Sequence, residues 1–390
     1  MATIHSSSAL TLLPLLLAVA LTPSLASPAT TDGLDHAFDG EALLMLGRFH
    51  GWMAAHGRSY ASEEEKLRRF QVYRSNMEFI EAANRDGRMN YQLGETPFTD
   101  LTHDEFMAMY SSNSAKSSES EEMMMITTRA GPVHEGSGHR SGLPLATADE
   151  PPRHSNLTAV PASVDWRAKG VVTPAKNQGT KCSSCWAFAS VATMESTQAI
   201  STGGAPPVLS EQQLVDCSQA GCSGSSSVDT GFKWVIRNGG ITTAAAYPYT
   251  GMVGQCRTGM PVAVRLSGYK NLPTKNETAI MEAVARQPVA VGFDGSDPCF
   301  QHYIRGVYDA GCSMNGVYIG KSCQVTWGAL NHALAIVGYG AKPDGTKYWI
   351  AKNSWTEFWG DKGFVYLLRD SPPNPNGVCG LAMEVVYPII

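Results

Sequence analysis

The sequence predicts an α+β protein, and three observations carry that expectation. Residues in the first third of the chain recur at helical spacings of 4, 4, 3, 4 and 4. A run without Pro or Gly, WAFASVATMESTQAI, follows Cys185 directly. Two strand-like runs, HALAIVGYG and KYWIAKNSW, flank the turn-forming stretch Lys342-Pro343-Asp344-Gly345.

At 390 residues the chain has room for one large folded unit or two. A formal charge of −5 and the lack of a basic stripe argue against a nucleic-acid partner. At the amino terminus, Leu10 to Leu21 forms a short apolar run, followed by Ser24-Leu25-Ala26. A bilayer span takes about 20 apolar residues, so the run is too short for one. It reads as a secretory signal peptide over residues 1–26, although its leading region lacks Lys and Arg. No later segment reads as transmembrane, so the mature chain is expected to be soluble.

From about residue 41 to 110 the chain reads as helical. Glu65, Arg69, Tyr73, Asn76, Ile80 and Asn84 share one stripe of a helix. Any amphipathic helix has such a face, but polar Glu65, Arg69, Asn76 and Asn84 on one stripe point to internal ion pairs or a partner surface. Residues 111–159 turn into Ser, Glu, Pro and Gly, a composition that cannot bury enough apolar surface to order itself, and read as a flexible linker. From residue 160 onward come all nine cysteines and most of the tryptophans, so the packed domain is expected at 160–390.

The cysteines at 182 and 185 admit three readings: a redox pair, half a zinc site, or a nucleophile beside a structural thiol. Secretion favours disulfides, and an odd total leaves one thiol over. No second CxxC or CxxH completes a zinc site, so no metal is expected. The helix is expected to start near Ser184 or Cys185, which places the Cys185 thiol where free N–H groups and the dipole stabilise thiolate. Cys182 precedes it in a loop, placed to bridge elsewhere.

A thiolate nucleophile needs a base, and beyond the linker only His302 and His332 remain. His302, within PCFQHYIRG, reads as an aromatic-rich surface or packing position. His332 opens the first strand of the hairpin. The midpoint between His332 and Asn353 falls between Lys342 and Pro343, which predicts that the two side chains face each other. An amide oxygen there would accept one imidazole N–H and leave the other nitrogen for the thiol. Gln178, upstream of the helix, could hold an oxyanion together with the Cys185 N–H.

Cys-x-Ser-Cys-Trp, the Asn-His-Ala strand and Lys-Asn-Ser-Trp together resemble the papain-like cysteine proteases. His332 lies 147 residues beyond Cys185, within the separation of about 130–150 residues typical of that family. PASVDWRAKGVVTPAKNQG resembles the family's mature amino terminus and GVCGLAMEVVYP its carboxyl end. The polar helix stripe resembles the inhibitory-propeptide helix, with Tyr73 where Phe is usual. Gly94, Phe98 and Asp100 resemble the motif that follows, with Thr96 where Asn is usual.

The resemblance implies a secreted zymogen, with a propeptide at 27–159 and a papain-like endopeptidase at 160–390. Its fold would be a helical domain and a β-barrel-like domain with the active-site cleft between them. Cys185, His332, Asn353 and Gln178 would be catalytic, Trp355 would shield the His–Asn contact from water, and no cofactor is needed. The expected partners are polypeptide substrates, the chain's own propeptide and cystatin-type inhibitors, acting on a monomer. The expected location is a vacuole- or lysosome-like compartment or the extracellular space.

The family pairing would carry over as Cys182–Cys222, Cys217–Cys256 and Cys312–Cys379, leaving Cys299 with Cys323. The stretch from Ser313 to Ala329 is longer than the family usually has before its histidine strand. Glu384 resembles the floor of the S2 pocket, with Leu330 and Ala333 as apolar walls and its carboxylate turned toward solvent. Ser183 stands for the usual Gly, Ser225 for the second Gly of Cys-x-Gly-Gly after Gly224, and one residue is added between Gln178 and Cys185. These departures line the expected cleft and keep a second reading open, a low-activity homologue acting as a binding protein. Sequons at Asn156 and Asn276 are candidate glycosylation sites.

Overall fold

The computed structural model describes residues 40–110, 160–224, 227–314, 317–318, 323, 330–370 and 374–390. The expected signal peptide, the linker at 111–159, Asn156 and Ser225 lie outside the described residues. Of the described residues, those up to Met45 fall in one unit and those from Leu46 in the other.

The described chain opens with helices α1 (Gly40–Ala55) and α2 (Glu63–Asp86). Ser62 caps α2 by accepting from the Glu65 N–H, three glutamates occupy its first turn, and Gly87 ends it in the left-handed region at φ 68°. Its apolar face buries Tyr73, Met77, Ile80 and Ala83. Phe49 and Trp52 of α1 pack on the Tyr73 ring at 5.1 and 5.5 Å.

The polar stripe of α2 is an internal brace. Arg69 donates to Glu65 at 2.7 Å, to Glu105 at 2.8 Å and to the Asp100 carbonyl at 3.0 Å. Asn76 donates to the carbonyls of Thr99 and Leu101, and the Asn84 amide exchanges two bonds with Leu93. These contacts hold the returning segment, which contains strand β1 (Tyr91–Leu93) and helix α3 (His103–Tyr110).

The packed domain begins with strand β2 (Val164–Asp165) and the helices α4 (Cys185–Thr202), α5 (Glu211–Cys217) and α6 (Thr230–Asn238). Helix α4 is buried around most of its circumference, as its Ala-, Ser- and Thr-rich sequence permits. There follow β3 (Gly268–Asn271), α7 (Glu277–Val284), β4 (Val289–Phe293), α8 (Pro298–Gln301), β5 (Tyr303–Tyr308), β6 (Ser313–Met314) and β7 (Val317–Tyr318). The chain closes with β8 (His332–Ala341), β9 (Lys347–Lys352), β10 (Phe364–Leu368) and β11 (Val385–Ile389).

One sheet runs β1-β5-β10-β9-β8-β4-β11-β3, with β2 also on β8, and β6-β7 form a separate hairpin. The α+β class is as the sequence predicts. The sheet is an open path rather than a closed barrel among the described residues. Its first strand, β1, comes from the N-terminal block and lies antiparallel on β5. Gly306 makes room for it: at φ +97°, a Cβ there would fall 2.5 Å from the Tyr91 Cα.

The expected register of the β8–β9 hairpin needs correction. Ala335 faces Lys352 and Ala341 faces Lys347, with a shift between Ile336 and Gly338. The turn therefore centres nearer Pro343-Asp344, and the ladder puts Asn353 beyond its end, diagonal to His332 rather than opposite it.

Two disulfides, Cys182–Cys222 and Cys217–Cys256, match the expectation. The other two do not. Cys312 pairs with Cys299 rather than Cys379, and Cys323 pairs with Cys379 rather than Cys299. Cys299 in the first turn of α8 and Cys312 beyond the end of β5 have their Cα atoms 5.7 Å apart. Cys323 meets Cys379 with Cα atoms 4.7 Å apart. Cys185 is the one free cysteine.

Candidate active site

Cys185 is the first residue of α4, and Ser184 in front of it makes no side-chain cap bond. The thiol packs against the start of β8, near the Ala333 backbone N–H. The sequence predicts a stabilised thiolate, and in this structure burial overrides that. Burial pushes the thiol up to about 11, while the N–H groups of Ala333 and Trp186 pull weakly the other way.

His332 Nε2 lies 2.8 Å from Asn353 Oδ1. That oxygen also accepts the Ser354 backbone N–H at 2.8 Å, which identifies it as the amide oxygen. Nε2 therefore carries the hydrogen, and Nδ1 is left without a hydrogen-bond partner. Burial drives the ring down to about 4, against the opposing pull of the Asn353 bond. Trp355 stacks on the imidazole with centroids 4.5 Å apart, the position that the family resemblance assigns it.

Gln178 is fully buried at the mouth of α4. Its Oε1 accepts from Ser354 Oγ at 2.6 Å, and its Nε2 points to the Cys182 carbonyl at 3.5 Å. Tyr249 donates to the Gln178 carbonyl at 2.7 Å and meets Ser184 Oγ at 2.7 Å. Ser354 and Tyr249 were not singled out from the sequence. Serine and tyrosine are ordinary in such contexts, and only the fold brings them to the glutamine.

Behind these groups runs a buried polar seam. Lys352 Nζ, from the end of β9, donates to Thr173 Oγ1 at 2.7 Å, and Thr173 donates to Glu195 of α4 at 2.6 Å. Lys176 bridges Glu195 and Glu211 at 2.7 and 2.6 Å. Burial pulls Lys352 down to about 8, with Glu195 opposing. The seam ties the helical wall to the sheet wall next to Asn353.

The other expected cleft residues sit as follows. Ser183 Oγ points to the Met109 carbonyl of the N-terminal block at 3.5 Å, and Gly224 is buried at φ 65°. Leu330 and Glu384 meet over Gly292, where a Cβ would lie 3.0 Å from each. Gly292 was missed, although a glycine inside a strand signals close approach by other groups. Glu384 is not turned toward solvent. It accepts from Ser227 Oγ and from the Val228 N–H at 3.1 Å, and burial raises its carboxyl above the usual range. His302 packs inside, and burial lowers it to about 3. Asn276 is exposed and caps α7 through Oδ1.

The N-terminal block covers this site. Phe98 and Phe106 meet Trp355 edge-on at 5.8 and 5.1 Å. Gln301 donates to the carbonyls of Phe98 and Leu101, and the Gly94 N–H donates to the His302 carbonyl.

Residues 160–389 match the papain family cysteine protease model, and residues 49–106 match the cathepsin propeptide inhibitor domain. A senescence-specific cysteine protease of Oryza sativa subsp. japonica is 40% identical over 348 residues, covering 88% of this chain and 90% of that protein. Ananain of Ananas comosus is 37% identical, covering 89% of this chain and 88% of its own. Among solved structures, a recombinant stem bromelain precursor is similar with a TM-score of 0.71 and 34% identity, covering 89% of this chain and 99% of its own. A digestive procathepsin L 3 of Tenebrio molitor larval midgut gives 0.69 and 29%, covering 89% and 99%. With residues 160–389 in one match and residues 49–106 in the other, the chain belongs to the papain family of cysteine proteases and carries a cathepsin-type propeptide inhibitor domain.

Proposed function

We propose that the chain is a secretory-pathway zymogen of a cysteine endopeptidase, acting through Cys185, His332 and Asn353 with Gln178 in the oxyanion hole. The observation that carries this reading is the His332–Asn353 bond: it leaves Nδ1 with a lone pair on the ring next to Ala333, against which the Cys185 thiol packs.

In this mechanism Nδ1 takes the proton from Cys185 Sγ, and the thiolate attacks the carbonyl carbon of the scissile peptide. The oxyanion that forms is held by Gln178 Nε2 and the Cys185 N–H, with Ser354 holding the glutamine through Oε1. The imidazolium then protonates the leaving amine, and an acyl-thioester remains. Water, deprotonated by Nδ1, attacks the thioester and releases the acid and the thiol.

Substrates are polypeptides, with Leu, Phe or Arg accepted at P2 over Leu330, Ala333 and Glu384. The work site is a vacuole- or lysosome-like compartment or the extracellular space, the mature enzyme is a monomer open to cystatin-type inhibitors, and Asn276 carries glycan. Incubating purified precursor at about pH 4–5 with a thiol tests the reading. Conversion to a shorter form, peptide hydrolysis and labelling of Cys185 by a thiol-reactive epoxide are expected. A shorter form that is neither labelled nor active would leave a binding protein.

A further inference from the structure

Tyr249 reaches both donors of the proposed oxyanion hole from behind, and the catalytic reading gives it no role. Its hydroxyl lies 2.7 Å from the Gln178 carbonyl and 2.7 Å from Ser184 Oγ. A tyrosine hydroxyl carries one hydrogen, and a carbonyl can only accept. The Tyr249 hydrogen therefore goes to Gln178, and the hydrogen between the two hydroxyls comes from Ser184. Ser184 Oγ thus donates to Tyr249 rather than along its 3.5 Å approach to the Cys182 carbonyl. A directed chain runs from Ser184 through Tyr249 to the Gln178 main chain. Ser184 directly precedes the nucleophile, and its carbonyl accepts the Ala187 and Phe188 N–H groups, so one end of the chain sits on the first turn of α4. The tyrosine itself is held on both sides by the α5 region. The Tyr247 carbonyl accepts from Ser210 Oγ at 2.7 Å, and the Thr250 N–H donates to Gln212 Oε1 at 2.7 Å. Phe188 meets its ring edge-on at 5.0 Å.

We propose that Tyr249 is a positioning residue for the oxyanion hole, acting through Ser184 and Gln178. The two donors, Gln178 Nε2 and the Cys185 N–H, lie at opposite ends of residues 179–184, a stretch that carries the added residue. A longer connection leaves its ends freer relative to each other, and the hydroxyl chain ties them together. Ser354 holds Gln178 from the sheet wall, through its carbonyl at 2.9 Å and its Oγ at 2.6 Å. Tyr249 supplies the matching hold from the helical wall, on a rigid support. The oxyanion forms only as the peptide carbonyl is attacked, so a loosened hole lowers kcat and leaves KM alone. This inference rests on the endopeptidase reading above and on the place of Gln178 in it.

The test uses mature enzyme made from full-length precursor, for wild type, Tyr249→Phe, Ser184→Ala and the double variant, with rates taken per site titrated by the epoxide. Removing a whole oxyanion donor costs roughly 100- to 1,000-fold in kcat, so loosening one in Tyr249→Phe should cost about 5- to 30-fold, with KM within about 2-fold. Ser184→Ala, which leaves the bond to Gln178, should lose about 2- to 5-fold, and the double variant no more than Tyr249→Phe. Alkylation of mature Cys185 by iodoacetamide forms no oxyanion, so its rate should match wild type in every variant. A merely structural role would slow alkylation and hydrolysis alike. Should Tyr249→Phe yield no mature enzyme, the same split in Ser184→Ala carries the test. Wild-type kcat per site in that variant or in Tyr249→Phe, alkylation slowed in step with hydrolysis, or losses that multiply in the double variant overturn the inference. Gln178→Ala at wild-type kcat overturns the oxyanion hole itself, and a wild-type precursor that neither converts nor labels overturns the peptidase reading.

Discussion

Cys185 and His332 are both held neutral by burial, beside Trp355, on which the N-terminal block packs. The thiol stays protonated below about 11 and the imidazole unprotonated above about 4, so no thiolate–imidazolium pair forms between those values. Alkylation of the precursor by iodoacetamide should therefore be slow across that window and should speed up at least 100-fold once the propeptide is gone. Equal rates for precursor and mature enzyme at about pH 6 would contradict this account. Glu384 gives a second prediction at this scale. Burial raises its carboxyl above the usual range, so the group is neutral below that raised value and charged above it. Cleavage of peptides with Arg at P2 should fall, relative to those with Phe there, as pH drops, with a midpoint above the ordinary Glu value of about 4.3. Kinetics on peptides differing only at P2 should show that pH dependence vanish in Glu384→Ala; a ratio unmoved by the mutation sinks the assignment.

Helix α4 and strand β9 depend on each other through the buried seam. Glu195 accepts from Thr173, from Lys176 and from the Leu209 N–H. Glu195→Ala would strand those donors and should cost about 3–5 kcal/mol, measured by urea unfolding. Lys352 behaves in the opposite sense. Its folded value of about 8 lies below its ordinary one, so the stability associated with it is present above the ordinary value and is lost as pH falls to about 8. Lys352→Met should therefore gain on wild type as pH is lowered through that interval, within about 1–4 kcal/mol. A Lys352→Met variant less stable than wild type at about pH 6 would refute this. These elements differ in how far they were legible. The stripe from Glu65 to Asn84 located α2 because helical spacing is local. The hairpin was legible as a hairpin, but its register was not: the irregularity between Ile336 and Gly338 carries one mark, a glycine inside the strand, and only the ladder fixes where the shift falls. Strands β3, β4, β5, β10 and β11 are short, and what makes them strands is the partner each finds in the sheet.

At the scale of the whole molecule, we expect acid to loosen the N-terminal block through Glu65 and Glu105 rather than through Asp100. Hydrogen bonds from Arg68 and Arg69 hold Glu65 down to about 2. Burial works against Glu105, yet the Thr102 N–H and the same two arginines keep it below its usual value. Depressed carboxyls contribute stability that is present above their ordinary values and is lost as pH falls through the depressed ones. Asp100 is shifted up, chiefly by burial, with Arg58 and Tyr60 opposing. Its contribution runs the other way, present at low pH and lost as pH rises. Glu105→Gln should thus move precursor conversion to higher pH, whereas Asp100→Asn should move it little. Conversion assays across pH check both, and a larger shift for Asp100→Asn would reverse the assignment.

By itself the sequence determined the candidate reacting groups and their order along the chain. Cys185 at a helix start, His332 at a strand start and Asn353 beyond a turn are each marked by local spacing and turn chemistry. It also determined that one thiol remains free, since an odd cysteine count leaves one over. Only the tertiary structure decided which cysteines meet, because Cys299, Cys312, Cys323 and Cys379 are paired by where the fold carries them. It alone decided the charge states as well. The thiol, the imidazole, Glu384 and Asp100 are all shifted by burial, and burial is a property of what packs over a group, which no local spacing encodes.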